Sequence, residues 1–343
     1  MHECLRRMLA AHHLRRFLSG VLLLLLLSTS ARAQTTYRSI QDVSSYGWLD
    51  QFSLNTLEYN FVGAEACVPT SSVNTMTYLQ NSFSSYFGTN LTGSSYADWI
   101  NVDATLISPD YMNTGPKGAT NEATAYNHLH FGLNKYVVNK YVVQNQGFTG
   151  VQFSGMIPSL GWDIPARPAP EPRPAAITDS FPTWQFLYDS LISGSGTVLG
   201  MSYKNSPGGH AVSLGGFDWT DLNGNGRIDF DENAQLHFVD PLDPTRGTDP
   251  SGGAKFTTGQ IWEVTLTNQT NATLVYDTLE LAYGQYVGTN LWGGALGGST
   301  DYGQASAYLT TAVAMTVPEP STYALLAIST AGLVGYVLRR RRP

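Results

Sequence analysis

One cysteine stands in a sequence context that could make it a nucleophile. Cys67 lies in the stretch Ala66-Cys67-Val68-Pro69-Thr70-Ser71, where Pro69 suits the first turn of a helix. The N–H groups and dipole of a helix start favour the thiolate, the reactive form of a thiol. The other cysteine, Cys4, lies in a segment typical of a cleaved export signal, which leaves Cys67 without a disulfide partner. The alternative is a small cysteine buried in a core.

A histidine and an aspartate follow Cys67 at the ends of predicted strands. His210 begins a strand after a glycine turn, and Asp240 comes directly after the predicted strand Gln235–Val239. Strand ends are where a rigid scaffold presents catalytic groups. Cys67, His210 and Asp240 therefore have the chain order of a papain-like cysteine peptidase. Singly, His210 is also compatible with an ordinary strand histidine and Asp240 with a turn residue.

The segment Asp221–Glu232 matches the calcium-loop pattern D-x-[DN]-x-[DN]-G-x5-E at every constrained position. Oxygen donors for Ca²⁺ would be the side chains of Asp221, Asn223, Asn225, Asp229 and Glu232 and the backbone carbonyl of Arg227. Because strands flank the loop, we predict an isolated, stabilising calcium site between the His210 and Asp240 strands. By pinning both strands, the site could also set the distance between these two residues. The alternative is a surface turn rich in Asx residues and glycine.

The surrounding pattern predicts an α+β chain. Apolar spacing predicts helices over 64–79, 120–139 and 182–192 and further strands over 197–203, 261–266 and 278–283. The proline-rich run over 165–174 predicts an extended connector. His128 and His130 are two residues apart on a predicted helix, so they do not share a face and a metal pair is not expected. His237 lies three residues before Asp240, on the opposite strand face, and is interpreted as structural.

Three short motifs in order resemble a known peptidase family. Cys67-Val68-Pro69-Thr70-Ser71, Gly209-His210-Ala211-Val212 and Val239-Asp240-Pro241 resemble the Cys-x-Pro-Thr-Ser, Gly-His and Asp-Pro motifs of the bacteriocin-processing, double-glycine leader peptidases and their secreted relatives. The resemblance spans about 51 to 244 and implies a papain-like fold, in which a nucleophile helix packs on an antiparallel sheet. It implies Cys67 as nucleophile, His210 as general base and Asp240 as the group that orients the imidazole. The implied reaction is amide hydrolysis through a thioester.

One element of that family's pattern is absent from the expected place. The oxyanion-hole glutamine precedes the cysteine by six positions in the family, and Phe61 stands there in this chain. Asn60 is the nearest amide side chain and is the candidate oxyanion donor, together with the backbone N–H of Cys67. Loss of one such donor costs a factor of about a hundred or more in rate. Either Asn60 substitutes, or the domain is a weak or inactive enzyme.

Both ends of the chain predict export. Arginines, an apolar run over 17–27 and the site Ala31-Arg32-Ala33 predict a signal peptide over 1–33. At the other end, residues 317–343 combine Pro318-Glu319-Pro320, an apolar span over 323–338 that predicts a transmembrane segment, and four arginines. This tail resembles the PEP-CTERM sorting signal of Gram-negative bacteria, which implies processing by an exosortase and release toward the cell surface or extracellular matrix. The alternative is an ordinary single-span anchor.

The body between these ends, residues 34–316, is predicted to be one peptidase-like domain. It carries 10 basic and 24 acidic residues, a net charge of −14, which disfavours nucleic acid as a partner. Two functions follow. One is an exported papain-like cysteine peptidase that acts on a peptide or protein substrate. The other is a non-enzymatic calcium-binding surface or matrix protein, for which extracellular polysaccharide is a possible partner.

Overall fold

The structure is a computed structural model, and it describes residues 34–51, 66–88, 90–114, 126–138, 151–159, 171–204, 209–242, 253–267, 275–283 and 305–317. The predicted signal peptide, Asn60, Phe61 and the predicted transmembrane span lie outside these ranges. So does most of the proline-rich connector, of which 171–174 are described and belong to no helix or strand. None of the described helices combines the length and the hydropathy needed to cross a membrane.

Helices dominate the first half of the chain and strands the second. The helices are α1 (Cys67–Ser82), α2 (Ser84–Phe87), α3 (Tyr96–Leu106), α4 (Tyr126–Val138) and α5 (Trp184–Ile192). The strands are β1 (Thr35–Ile40), β2 (Gln152–Met156), β3 (Ile177–Thr178), β4 (Gly196–Tyr203), β5 (Gly209–Asp221), β6 (Gln235–Val239), β7 (Thr257–Thr267), β8 (Val275–Tyr283) and β9 (Ala305–Thr316).

The sheet closes on itself. Strands β5, β6, β7, β8 and β9 pair with one another in sequence order. Strand β4 pairs with β9 along one edge and with β5 along the other, and so joins the two ends of this series. These six strands form an antiparallel ring. Outside the ring, β1 pairs with the second half of β5, and β2 pairs with the C-terminal part of β9. Apolar side chains from all six strands, including Leu199, Leu214, Phe238, Leu281 and Leu309, form one core with α5. The ring therefore gives the strands that carry His210 and Asp240 a common, buried support.

A second core joins the helices to the outside of the ring. Val198, Ala211 and Val313 of three neighbouring strands pack with Met76 and Leu79 of α1 and with side chains of α3 and α4. Helix α1 is thus enclosed between the β4–β5 wall and the other helices. The sequence predicts a mixed apolar face for α1, whereas residues 67–80 of the helix are buried on every side.

Polar side chains of α1 act as the contacts that hold it in this enclosed position. Asn74 accepts from the backbone N–H of Leu49 and donates to its carbonyl, at 2.8 and 3.1 Å. Gln80 accepts from Leu91 and Thr92 N–H and donates to the Gly93 carbonyl. Buried polar groups are tolerated when their hydrogen bonds are satisfied. The polar side chains of α1 therefore determine which backbone segments pack against the helix.

Candidate active site

The structure brings Cys67, His210 and Asp240 together. The Nε2 atom of His210 lies 2.8 Å from Asp240 Oδ1, and the Cys67 side chain is near enough to His210 to raise the pKa of the imidazole. Asp240 is fully buried, His210 is 4% exposed and Cys67 is 7% exposed. Residues separated by 143 and 30 positions in the chain therefore form one buried constellation.

The two strands that carry the base and the carboxylate are held in register around it. His210 is paired with Met201 of β4, and Ser213 is paired with Val239, the residue before Asp240. The position of Gly209 has room only for glycine, because a Cβ there would lie 2.2 Å from the Met201 carbonyl oxygen. The glycine that precedes the histidine thus allows β4 to approach closely at the site.

Two hydrogen bonds dock the nucleophile helix on the His210 strand. The Ser71 hydroxyl donates to the carbonyl of Ala211 at 2.8 Å, and the Ser213 hydroxyl donates to the carbonyl of Ser71 at 2.8 Å. Ser71 is four residues after Cys67 and therefore lies on the same face of α1. This pair fixes the start of α1 beside His210. The sequence signal for it is Ser71 itself, the last residue of the Cys-x-Pro-Thr-Ser motif.

The electrostatics favour a charged imidazole. Burial lowers the pKa of His210, but the Asp240 carboxylate, through its charge and its hydrogen bond, and the Cys67 side chain raise it, so that the net pKa lies well above 6.5. The negative charge of Asp240 therefore outweighs desolvation. Asp240 Oδ1 also accepts from the backbone N–H of Leu242 at 2.8 Å, which fixes the carboxylate at the end of β6.

This arrangement assigns a role to each ring nitrogen. Because Nε2 contacts Asp240, Nδ1 is the nitrogen left for the Cys67 thiol. The charged imidazole that these interactions favour is the form that has received the thiol proton, and it can later protonate a leaving amine. The backbone N–H of Cys67, at the first helical position, is among those that a helix leaves unpaired. The second oxyanion donor expected from the sequence, Asn60, lies outside the described residues.

The predicted calcium loop folds back on its own first residue. Asp221 Oδ1 accepts from the N–H groups of Gly224 and Asn225 at 2.6 and 3.2 Å, and its Oδ2 accepts from Gly226 at 2.9 Å. Gly224 and Gly226 have φ of 66° and 73°, a region that favours glycine. The side-chain amides of Asn223 and Asn225 both donate to Asp229 Oδ2, at 2.7 and 2.8 Å. Three of the predicted ligand side chains thus converge on one point.

The last acid of the loop closes it. Glu232 accepts from Leu222 N–H through Oε1 and from the Trp219 indole N–H through Oε2, both within 2.9 Å. Arg227, whose carbonyl is the predicted backbone ligand, pairs with Glu263 of β7 at 2.8 Å. Within the described residues, no group of three or more His, Cys, Asp and Glu side chains is placed to hold a metal ion. The oxygen-rich donor set, which includes two amides, suits Ca²⁺ by its chemistry.

The loop lies at the opposite end of the β5–β6 hairpin from His210 and Asp240. His210 and Asp221 are eleven positions apart on β5, about 35 Å along a straight strand. The loop is therefore too remote to set the His210–Asp240 distance by direct contact. Its influence must pass through the register of the hairpin, because a slip of one residue would turn each side chain to the other face.

The other histidines singled out in the sequence occupy different surroundings. His237 Nδ1 lies 3.0 Å from the Thr258 hydroxyl on β7. His130 is buried on α4, packs edge-on against Phe153, and its pKa is lowered to about 4 by burial. His130 is therefore neutral at physiological pH. His128, also on α4, is 8% exposed.

Comparison with known proteins decides the nature of the C-terminus. Residues 316–342 match the PEP-CTERM protein-sorting motif. The tail is thus a sorting signal recognised by exosortase, and it directs the protein to export and to the cell surface or extracellular space. The motif begins where β9 ends, at Thr316. No curated protein and no solved structure matches the chain.

Proposed function

We propose that the body of this exported protein is a cysteine peptidase of the papain-like, double-glycine leader peptidase type. The observation that carries the proposal is the buried contact of His210 with Asp240 on one side and Cys67 on the other. Cys67 Sγ attacks the substrate carbonyl after His210 takes its proton. His210 then protonates the leaving amine, and water hydrolyses the thioester. Asp240 keeps the ring oriented throughout.

The site supports this chemistry better than a purely structural role for the cysteine. A small core cysteine needs no ionisable partner, whereas here a fully buried carboxylate raises the pKa of the imidazole beside Cys67. The polar contacts of Ser71 and Ser213 hold that helix start against the histidine strand.

Calcium belongs to the same proposal as a stabilising ion. Asp221, Asn223, Asn225, Asp229, Glu232 and the carbonyl of Arg227 would hold it. Bound calcium would offset two of the three negative charges that the loop carboxylates gather. The residues of the loop would then hold β5 and β6 in the register that aligns His210 with Asp240.

The test is cleavage that depends on Cys67. The purified full-length protein is incubated with a diverse peptide library, and products are read by mass spectrometry. We expect cleavage that is lost in Cys67→Ala and kept in Asp189→Asn, which replaces an exposed acid on α5. Absence of cleavage by the unmodified protein, or its persistence in Cys67→Ala, would contradict the proposal.

A second function is favoured by one sequence observation. Phe61 stands where the related peptidases have the oxyanion glutamine, which is typical of a domain that has lost its activity. The protein would then be a calcium-binding surface or matrix protein on the same fold. In that case peptide cleavage is absent, while calcium still raises the melting temperature.

A further inference from the structure

A buried carboxyl group lies against the first turns of the nucleophile helix. Asp103 of α3 is fully buried, and its Oδ2 accepts a hydrogen bond from the Thr70 hydroxyl at 2.9 Å. Thr70 is also fully buried. Asp103 Oδ1 has no hydrogen-bond partner among the residues that the structure describes. The sequence analysis attached no role to Asp103.

The position of Asp103 relates it to Cys67. Thr70 is three residues after Cys67 and so lies on the same face of α1. Ile107, one helical turn after Asp103, packs on Ala66, the residue that precedes Cys67. Helix α3 therefore runs beside the start of α1, where Asp103 contacts Thr70 and Ile107, one turn later, contacts Ala66.

The start of α1 is consequently held from two sides by polar contacts. Ser71 joins it to β5, and Thr70 joins it to α3 through Asp103. The Ser71 contact fixes the helix relative to His210. The Thr70 contact fixes it relative to α3 and resists rotation about the β5 contact. Cys67 is within one turn of both.

Burial favours the neutral form of the Asp103 carboxyl at physiological pH. Burial raises its pKa from 3.8 to about 8, and the Thr70 hydrogen bond offsets only part of this rise. Among the described residues no charged group contributes to the shift, although α1 and α4, which pack against α3, carry titratable side chains. Among the described side chains these are Cys67 and Tyr78 on α1 and His128, His130, Lys135 and Tyr136 on α4.

We propose that Asp103 is a positioning residue that holds the first turns of α1, and with them Cys67, through the hydrogen bond that its carboxyl group accepts from Thr70. This inference rests on the proposed peptidase function. An ionised carboxylate at this position would oppose the formation of negative charge on the nearby sulfur. A neutral carboxyl keeps the contact without that opposing charge.

The experiment compares rates of Cys67 alkylation by iodoacetamide between pH 6 and 10. Cys67 is the sole cysteine after removal of residues 1–33, so the label reports one site. Asp103→Asn keeps a neutral hydrogen-bonding group, Asp103→Leu removes it, and Thr70→Val removes the hydroxyl partner. Asp110→Asn, an exposed acid in the turn after α3, is the matched control.

We expect Asp103→Asn to match the unmodified protein within about twofold below pH 8 and to exceed it severalfold above pH 8, where Asp103 ionises. Asp103→Leu and Thr70→Val should react about tenfold more slowly at pH 7 with unchanged circular dichroism. If Asp103→Leu does not fold, Thr70→Val decides. Equal slowing in Asp103→Asn and Asp103→Leu, or no slowing in Thr70→Val, would overturn the proposal.

Failure of the peptidase function would be seen separately. That function is contradicted when alkylation of Cys67 is independent of His210, whereas the state of Asp103 is read from unfolding. A raised folded-state pKa gives a stabilising contribution that is complete below pH 3.8 and is lost as the pH rises to about 8. The equilibrium constant of unfolding should therefore rise up to tenfold per pH unit in that window because of Asp103. The Asp103→Asn variant should lack this part of the pH dependence.

Discussion

Replacing Asp240 by asparagine should make the stability of the protein depend on pH in a defined way. The substitution keeps an amide oxygen for the N–H of Leu242 but removes the charge that contacts His210 at 2.8 Å. Both side chains are buried, so water cannot replace the lost interaction. His210 would then be left with burial, which lowers its pKa, and without the charge that raises it.

The size of the effect follows from the buried pair. Removing one partner of a buried ion pair costs about 3–5 kcal/mol, and the retained amide oxygen places Asp240→Asn near 3 kcal/mol at pH 6. Because the folded-state pKa of His210 is raised, the contribution of the pair is fully present below pH 6.5. It is lost as the pH rises through the folded-state pKa. The stability gap should therefore shrink by about 1.4 kcal/mol per pH unit above 6.5, until His210 is neutral in both states.

Urea unfolding at pH 6, 7, 8 and 9 measures this gap. Asp189→Asn serves as the matched control, because Asp189 is an exposed acid whose side-chain donor, among the residues that the structure describes, is Gln185 on its own helix. The control should differ from the unmodified protein by less than about 0.5 kcal/mol at every pH. A gap for Asp240→Asn that stays constant from pH 6 to 9 would refute the assignment of a charged His210–Asp240 pair.

Two further predictions concern the calcium loop and the close approach of β4 to β5. Calcium at 10 mM should stabilise the protein by about 1.4–2.7 kcal/mol, for an extracellular-type affinity of 0.1–1 mM. Glu232→Gln should abolish this gain, whereas Asp231→Asn, at a loop position that supplies no ligand, should keep it. Calorimetry with and without chelator measures the gain in each protein. An equal gain in the unmodified protein and both variants would contradict the calcium site. Gly209→Ala should cost about 1–3 kcal/mol and slow Cys67 alkylation, because the new Cβ would meet the Met201 backbone. Unchanged melting and labelling in this variant would show that the close approach is not required.

The strands that carry the site follow from the sequence. Gln235–Val239 has the predicted bounds, and the predicted strand at His210 is continued to Asp221 as β5. Alternation of apolar residues and a preceding glycine turn mark these elements locally. Helix α1 is likewise indicated by Pro69, and it begins at Cys67. The papain-like fold itself stays a prediction.

Other features depend on contacts that no local pattern reports. Strand β9 is rich in Ala and Thr and is not among the predicted strands, yet it pairs with three strands and helps close the ring. The polar residues of α1 look like those of a solvated helix, whereas tertiary hydrogen bonds bury them. The burial of Asp103 could not be predicted for the same reason, because it depends on the packing of α3 on α1.

The remote position of the calcium loop is a third feature of this kind. The motif is legible in the sequence, but its distance from His210 depends on how far β5 extends beyond the ring pairing with β4. The loop and the site lie at opposite ends of one hairpin. Calcium is therefore expected to change stability strongly and the reactivity of a folded site weakly.

The central claim is that Cys67 is activated by His210, and the rate of its alkylation at pH 7 tests this most directly. With folded protein and calcium present, Cys67 should react at least tenfold faster with iodoacetamide than it does in His210→Ala. His237→Ala, which removes a histidine bonded to Thr258 on a neighbouring strand, should react like the unmodified protein. Equal rates in the unmodified protein and His210→Ala would contradict the account.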